Sequence, residues 1–173
     1  KVMSVGFLLE TEDAPVIWRG PMKNSIIKQF LKDVVWGELD YLIIDCPPGT
    51  GDEPLSVIQL LGKADGAIIV TTPQDVSSID VSKNINFAEQ MKIPVTGIVE
   101  NMSGFVCPHC NEMTYIFKEG GGKKLAEKYN LPFLGSIPLD PALGEAGDSG
   151  KPYVAEFKDS LVSKTYETIA KNL

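Results

Sequence analysis

Histidine is nearly absent: His109 is the only one in 173 residues. That scarcity removes most Ser–His–Asp triads and His-rich metal centres from consideration. Cysteine is sparse as well, with three in the chain, too few for a disulfide scaffold. Uninterrupted apolar runs are short, as at Leu42–Ile44 and Ala67–Val70, and none approaches the length of a membrane-crossing helix. Positive charge is in deficit, 16 basic residues against 23 acidic for a formal net charge of −7, with no basic tract. A protein whose main task is wrapping nucleic acid or an anionic membrane needs the opposite sign. What is present is ordinary for a globular chain, 43% hydrophobic and 23% charged. The length predicts one domain over residues 1–173, without internal repeats or low-complexity linkers.

The chain opens Lys1-Val2-Met3-Ser4-Val5-Gly6-Phe7-Leu8-Leu9, with neither an initiator methionine nor a signal-peptide pattern. This stretch reads as a buried strand met part-way, so the expectation is the later portion of a longer polypeptide. After a Pro/Gly-punctuated loop, Asn24 is placed to cap a helix through Ile27, Phe30, Leu31 and Val34, ended by Gly37. Tyr41–Asp45 is a continuous apolar run closing on a carboxylate, the pattern of a strand buried on both faces. A helix with Pro54 in its first turn runs through Leu55, Ile58 and Leu61 to Gly62. Ala67–Thr71 follows as a strand, then a helix opened by Ser77 or Ser78 and carrying Val81, Ile85 and Ala88. Val95–Val99 and Phe133–Ile137 read as further strands, and Val154, Phe157, Leu161, Thr165 and Ile169 as one closing helix.

This alternation predicts an α/β fold: a mostly parallel, doubly wound sheet with helices on both faces. Residues 102–118 break the pattern and read as a small knuckle or hairpin inserted after a strand. In such sheets ligands sit at the carboxyl ends of the strands. The loops after Ile44, Val70, Val99 and Ile137 are therefore where chemistry is expected.

The string Asp45-Cys46-Pro47-Pro48-Gly49-Thr50-Gly51-Asp52-Glu53 is the most informative of these. A rigid strand ending in Asp can hold a Mg²⁺-bound water beside phosphates. Gly49 and Gly51, lacking side chains, let backbone N–H groups approach a terminal phosphate. Asp52 and Glu53 add carboxylates able to orient a water or serve a switch. The plainer alternative is a strand–turn–helix with Asp52 as helix cap.

Cys107-Pro108-His109-Cys110 is the second motif. A redox pair would sit at a helix N-terminus, whereas the residues after Cys110 are β-like in composition. Structural zinc usually takes four ligands, and the chain offers Cys107, Cys110, His109 and a distant Cys46. Two chains giving two cysteines each would complete a four-thiolate site. Gly120-Gly121-Gly122-Lys123-Lys124 resembles a phosphate loop only superficially: Leu125 stands where a hydroxyl is required, and a flexible glycine-rich start to a short helix is expected. Asn101 presents both a donor and an acceptor, as an adenine edge requires, and Pro138 and Leu139 can flank a ring, although alone these are ordinary loop residues.

Taken together, WRGPM (Trp18–Met22), WGELDYLIIDCPPGTGDEP (Trp36–Pro54), VTTPQDV (Val70–Val76), GIVENMSGFVCPHC (Gly97–Cys110) and IPLDP (Ile137–Pro141) closely resemble the Mrp/ApbC family. These are MinD-like P-loop ATPases that act as iron–sulfur cluster carriers, and the resemblance covers essentially the whole chain. It implies a homodimer with a [4Fe–4S] cluster bridged between subunits by Cys107 and Cys110, delivered to apo iron–sulfur proteins in the cytoplasm. It further implies ATP and Mg²⁺, with Asp45 as the Walker B aspartate and Asp52 as a switch residue. Gly49 would face the γ-phosphate, and Asn101 with Pro138, Leu139 and Asp140 would border the adenine. Cys46 is read as a small buried side chain and not a ligand.

A MinD-like partner-binding ATPase with structural zinc at the CxxC pair is the alternative. The closing segment mixes Glu156, Asp159 and Glu167 with Lys158, Lys164 and Lys171, which argues against a basic membrane-attaching helix. The family's KGGVGK(S/T) loop, which supplies most phosphate contacts, does not occur in this sequence. Calorimetric titration of the 173-residue chain with Mg·ATP is therefore expected to show no micromolar binding, and a micromolar isotherm would overturn that expectation.

Overall fold

The computed structural model describes residues 1–11 and 13–173, in two compact units, Lys1–Ala64 and Asp65–Leu173. In the first unit a 3₁₀ turn spans Val5–Leu8, its start capped by the Ser4 hydroxyl, which accepts from the Gly6 amide. Helix α1 covers Gly20–Lys32 and α2 covers Asp52–Leu61. Helix α1 begins ahead of Asn24 because Pro21, in its first turn, already holds a helical φ and needs no N–H partner. Asn24 instead donates its amide to Ser56 Oγ on α2, 3.1 Å away. Lys23 and Glu53 form an ion pair between the same two helices. The cap of α2 is Gly51, not Asp52; Asp52 and Glu53 lie in its first turn, where the helix dipole favours negative charge.

Two expected strands do not form in this unit. The opening segment is a 3₁₀ turn with irregular flanks, and Tyr41–Asp45 lies outside any ladder, Tyr41 and Ile43 being 84% and 83% exposed. A strand buried on both faces needs neighbours that satisfy its backbone along both edges. Among the described residues of this unit no strand is present to supply them. Cys46 is consequently exposed, not buried as its size suggested.

The second unit holds the sheet. Its elements are β1 (Ala67–Thr71), α3 (Asp75–Gln90), β2 (Val95–Val106), β3 (Met113–Thr114), α4 (Gly121–Tyr129), β4 (Phe133–Leu139), α5 (Pro141–Asp148), α6 (Tyr153–Glu156) and α7 (Leu161–Lys171). Strands β1 and β4 both pair with β2 in parallel, and β3 pairs antiparallel with its far end, Phe105 opposite Thr114. Neighbouring residues on β2 point to opposite faces. Ile98 packs with Ile69, Val81, Ile85, Leu125 and Ala126, under α3 and α4. Val99 packs with Leu134, Ile137, Ala146, Tyr153, Val162 and Ile169, under α5–α7. Both faces of the sheet are thus covered, as the alternation predicted. No helix among the described residues is long and apolar enough to cross a membrane.

The closing helix is two helices. Tyr153–Glu156 stops, and a new start is made by Ser160, whose hydroxyl accepts from the Ser163 amide. A serine in that position offers the backbone an N-cap in place of a continued helix.

The glycines before α4 serve close packing, not flexibility. A Cβ on Gly122 would come within 2.9 Å of Glu100 Cβ, and one on Gly121 would collide with the carbonyl of Pro73, a fully buried residue. Backbone cannot move aside as a side-chain tip can. Gly121→Ala should lower unfolding stability by about 1–3 kcal/mol, read by urea denaturation. An unchanged midpoint would show that the approach is looser than described.

Candidate functional site

Strand β2 carries the thiol motif at its far end. Its register with β4 shifts once between Ile98 and Val99, holds from Val99 to Asn101 and shifts again before Phe105, and Met102 and Gly104 take left-handed conformations at φ +57° and +115°. Past this bend Phe105 and Val106 pair with Thr114 and Met113, and the turn between them holds Cys107–Cys110. The turn is closed by two backbone bonds, Cys107 N–H to Glu112 O at 2.9 Å and Asn111 N–H to Cys107 O at 2.8 Å. Asn111 sits at φ +59°, a region asparagine tolerates better than most residues.

Amides of this turn act on one sulfur more than the other. The backbone N–H groups of Cys110 and His109 point at Cys107, and with the Cys110 side chain they hold its thiol below the ordinary cysteine range. Cys107 is half-buried and Cys110 exposed, with the Cys110 sulfur 3.9 Å from Glu112 Oε2. His109 is exposed between them. Cys46 behaves oppositely: desolvation of its sulfur, with the nearby carboxylates of Asp45 and Glu53, pushes its thiol up. Among the described residues no group of three or more His, Cys, Asp or Glu is arranged to hold a metal ion. The knuckle itself brings two thiols, Cys107 and Cys110, into one four-residue turn.

Pro138, Leu139 and Asp140 come together with Phe105, Val106 and Pro108 around a cavity of about 240 Å³. The segment expected beside a purine ring thus lies against the base of the thiol hairpin. Asp140 is already engaged: one carboxylate oxygen accepts from the Ala142 amide at 2.9 Å, capping α5, and the other from the Tyr153 hydroxyl. Burial, and then the bond to Asp140, raises the Tyr153 phenol. Asn101 is half-buried and does not line that cavity; its Oδ1 accepts from the Met102 amide at 2.9 Å. Asp45, Gly49 and Asp52 belong to the first unit. Gly49 has φ +98° with open space where a Cβ would stand, so its constraint is conformational. Asp52 directs an oxygen over Gly20, at 3.1 Å from where a Cβ there would lie.

One residue escaped the sequence reading of roles. Glu100 is 1% exposed, its carboxylate accepting from Ser103 Oγ and the Gly122 amide at 2.6 Å each, with Ser136 Oγ at 3.5 Å. The amide end of α4, which a phosphate would seek, is filled by this internal anion. The signal in the sequence was a glutamate closing an otherwise apolar strand, Gly97-Ile98-Val99-Glu100.

The contrast between the thiols is directly measurable. In the metal-free chain, iodoacetamide near neutral pH should alkylate Cys107 ahead of Cys46, since the thiolate is the nucleophile. Peptide mapping showing Cys46 first would contradict the amide-stabilised sulfur.

The chain spans about three-fifths of the length of several curated relatives it matches and 30% of that of another. An iron–sulfur cluster carrier protein of Methanocaldococcus jannaschii is 54% identical over 173 residues, covering 100% of this chain and 59% of that one. A solved nucleotide-binding protein of Archaeoglobus fulgidus, in complex with ADP, superposes with a TM-score of 0.71 at 46% identity, covering 94% of this chain and 64% of that one. The cell division ATPase MinD of Pyrococcus furiosus shares the fold at 21% identity and a TM-score of 0.61, over 89% of this chain and 57% of that one. The family model described as ParA: NUBPL iron-transfer P-loop NTPase matches residues 1–173, so this chain belongs to that family of MinD-like α/β proteins.

Proposed function

We propose that the chain is the cluster-holding part of an ATP-dependent carrier that receives a [4Fe–4S] cluster and passes it to apo iron–sulfur proteins in the cytoplasm. The observation that carries this reading is the thiol turn at the end of β2, which brings two sulfurs, one half-buried and one exposed, within reach of a cargo, with no larger ligand cluster among the described residues. A cuboidal cluster takes four thiolates. Two copies related by a two-fold axis, each giving Cys107 and Cys110, meet that number. The insertion 102–118 is then the cargo-binding element. The amides of Cys110 and His109 hold the Cys107 thiol below the ordinary cysteine range, which favours the thiolate that binds iron. Exposure of Cys110 suits a cargo that must leave, because an acceptor's thiolates can replace the ligands one at a time.

The nucleotide side of the proposal rests on the family and on the strings around Asp45 and Asn101. Asp45 would hold a water of Mg²⁺, Gly49 would bring its amide to the γ-phosphate, and Asp52 would act in the switch. Asn101, Pro138, Leu139 and Asp140 would border the adenine. With its side chain already bonded to Ala142 and Tyr153, Asp140 would act by shaping the loop, not by reading the base. Neither nucleic acid nor a membrane has a part in this scheme.

Anaerobic reconstitution with ferrous iron and sulfide tests it. Broad visible charge-transfer absorbance is expected, with about four iron and four sulfide per two chains. Cys107→Ser with Cys110→Ser should abolish it. Full absorbance in the double variant would refute the ligand assignment, and zinc without sulfide in protein purified without air would favour a structural metal instead.

A further inference from the structure

Glu100 is a buried carboxylate with no cation beside it: none of the ion pairs among the described residues includes it. A carboxylate removed from water is strongly unfavourable unless hydrogen bonds take the place of hydration. Here they come from two directions. The Gly122 amide, in the first turn of α4, donates to Oε2, where the helix dipole adds a favourable field. The Ser103 hydroxyl donates to Oε1. The helix end is closely packed, since Gly121 and Gly122 abut Pro73, Thr71 and Glu100 with no room for a Cβ.

The second bond spans the bend in β2. Between Asn101 and Phe105 the strand has lost register with β4, and two of its residues are left-handed. Regular ladder geometry does not set the direction of the chain there. Side-chain bonds do: Ser103 to Glu100 across the bend, and Asn101 to the Met102 amide within it. Beyond it lies the hairpin that bears Cys107 and Cys110.

We propose that Glu100 is the positioning residue of the thiol hairpin, gripping α4 with one oxygen and Ser103 with the other, so that the fixed helix sets the angle at which Cys107 and Cys110 leave the sheet. The inference about the cargo rests on the carrier reading above; the inference about the hairpin does not. If two copies must bring their thiols to one cluster, the two hairpins need matched angles, and loosening the bend speeds cargo loss.

Ser103→Ala removes the hairpin-side bond and leaves the Glu100–Gly122 bond in place. In the metal-free full chain, amides between Phe105 and Thr114 should then exchange with solvent roughly tenfold faster or more, as loss of one hydrogen bond to a charged group implies. Exchange in α4 and β1 should stay at wild-type rates. Ser103→Thr, which keeps the hydroxyl, should show wild-type hairpin exchange, and Glu100→Gln, which can accept from Gly122 and donate to Ser103 but lacks the charge, should fall between wild type and Ser103→Ala. In reconstituted protein, Ser103→Ala should lose iron to a ferrous chelator several-fold faster and alter the visible circular dichroism.

Wild-type hairpin exchange in Ser103→Ala, or acceleration spread evenly over the whole sheet, would overturn the proposal. Faster hairpin exchange in a protein whose absorbance survives loss of both cysteines would support the positioning role while removing the carrier reading.

Discussion

The second unit depends on the burial of β2 between two parallel neighbours. Ile98 and Val99 are adjacent in the chain and deeply buried, and each anchors a different hydrophobic cluster. That arrangement is open to a strand whose N–H and C=O groups are satisfied along both edges, by β1 and β4. Where the pairing with β4 shifts register again, past Asn101, the strand bends, and the proposed cluster ligands lie beyond the bend. The paired length and the bent tip are parts of one strand.

The proposed cluster ligands differ because their surroundings differ. Cys107 follows the last paired residue of β2 and sits under amides of the turn it opens, while Cys110 ends that turn facing solvent and Glu112. A site meant to hold cargo and surrender it benefits from one stabilised and one accessible sulfur. Asp140 and Glu100 follow another logic: one just past the end of β4 and the other midway along β2, both are carboxylates whose oxygens are consumed by the fold, one capping α5 and the other filling the amide end of α4. Each turns a potential ligand into scaffolding next to a loop expected to carry function.

Much of this was legible in the residues. The strand at Ala67–Thr71, the helices carrying Val81 and Leu125, and the parallel order around Val95–Val99 all emerged from apolar periodicity, which reports burial directly. The thiol turn was visible from its spacing. Tyr41–Asp45 misled because its apolar pattern is that of a strand, and pattern says nothing about whether an edge partner is at hand. The glycines at 120–122 misled in the other direction: their absence of side chains looked like freedom and is crowding against Pro73 and Glu100. The split of the closing helix turned on a single serine cap.

By itself the sequence determined the fold class, the family strings and the candidate ligands, because periodicity and motif spacing are local properties of a chain. Only the tertiary structure decided which glutamate is buried, which amides face Cys107, and that Asp140 is already occupied. Those facts depend on residues far apart in sequence meeting at strand ends and helix starts. Such meetings are set by packing, which no local pattern records.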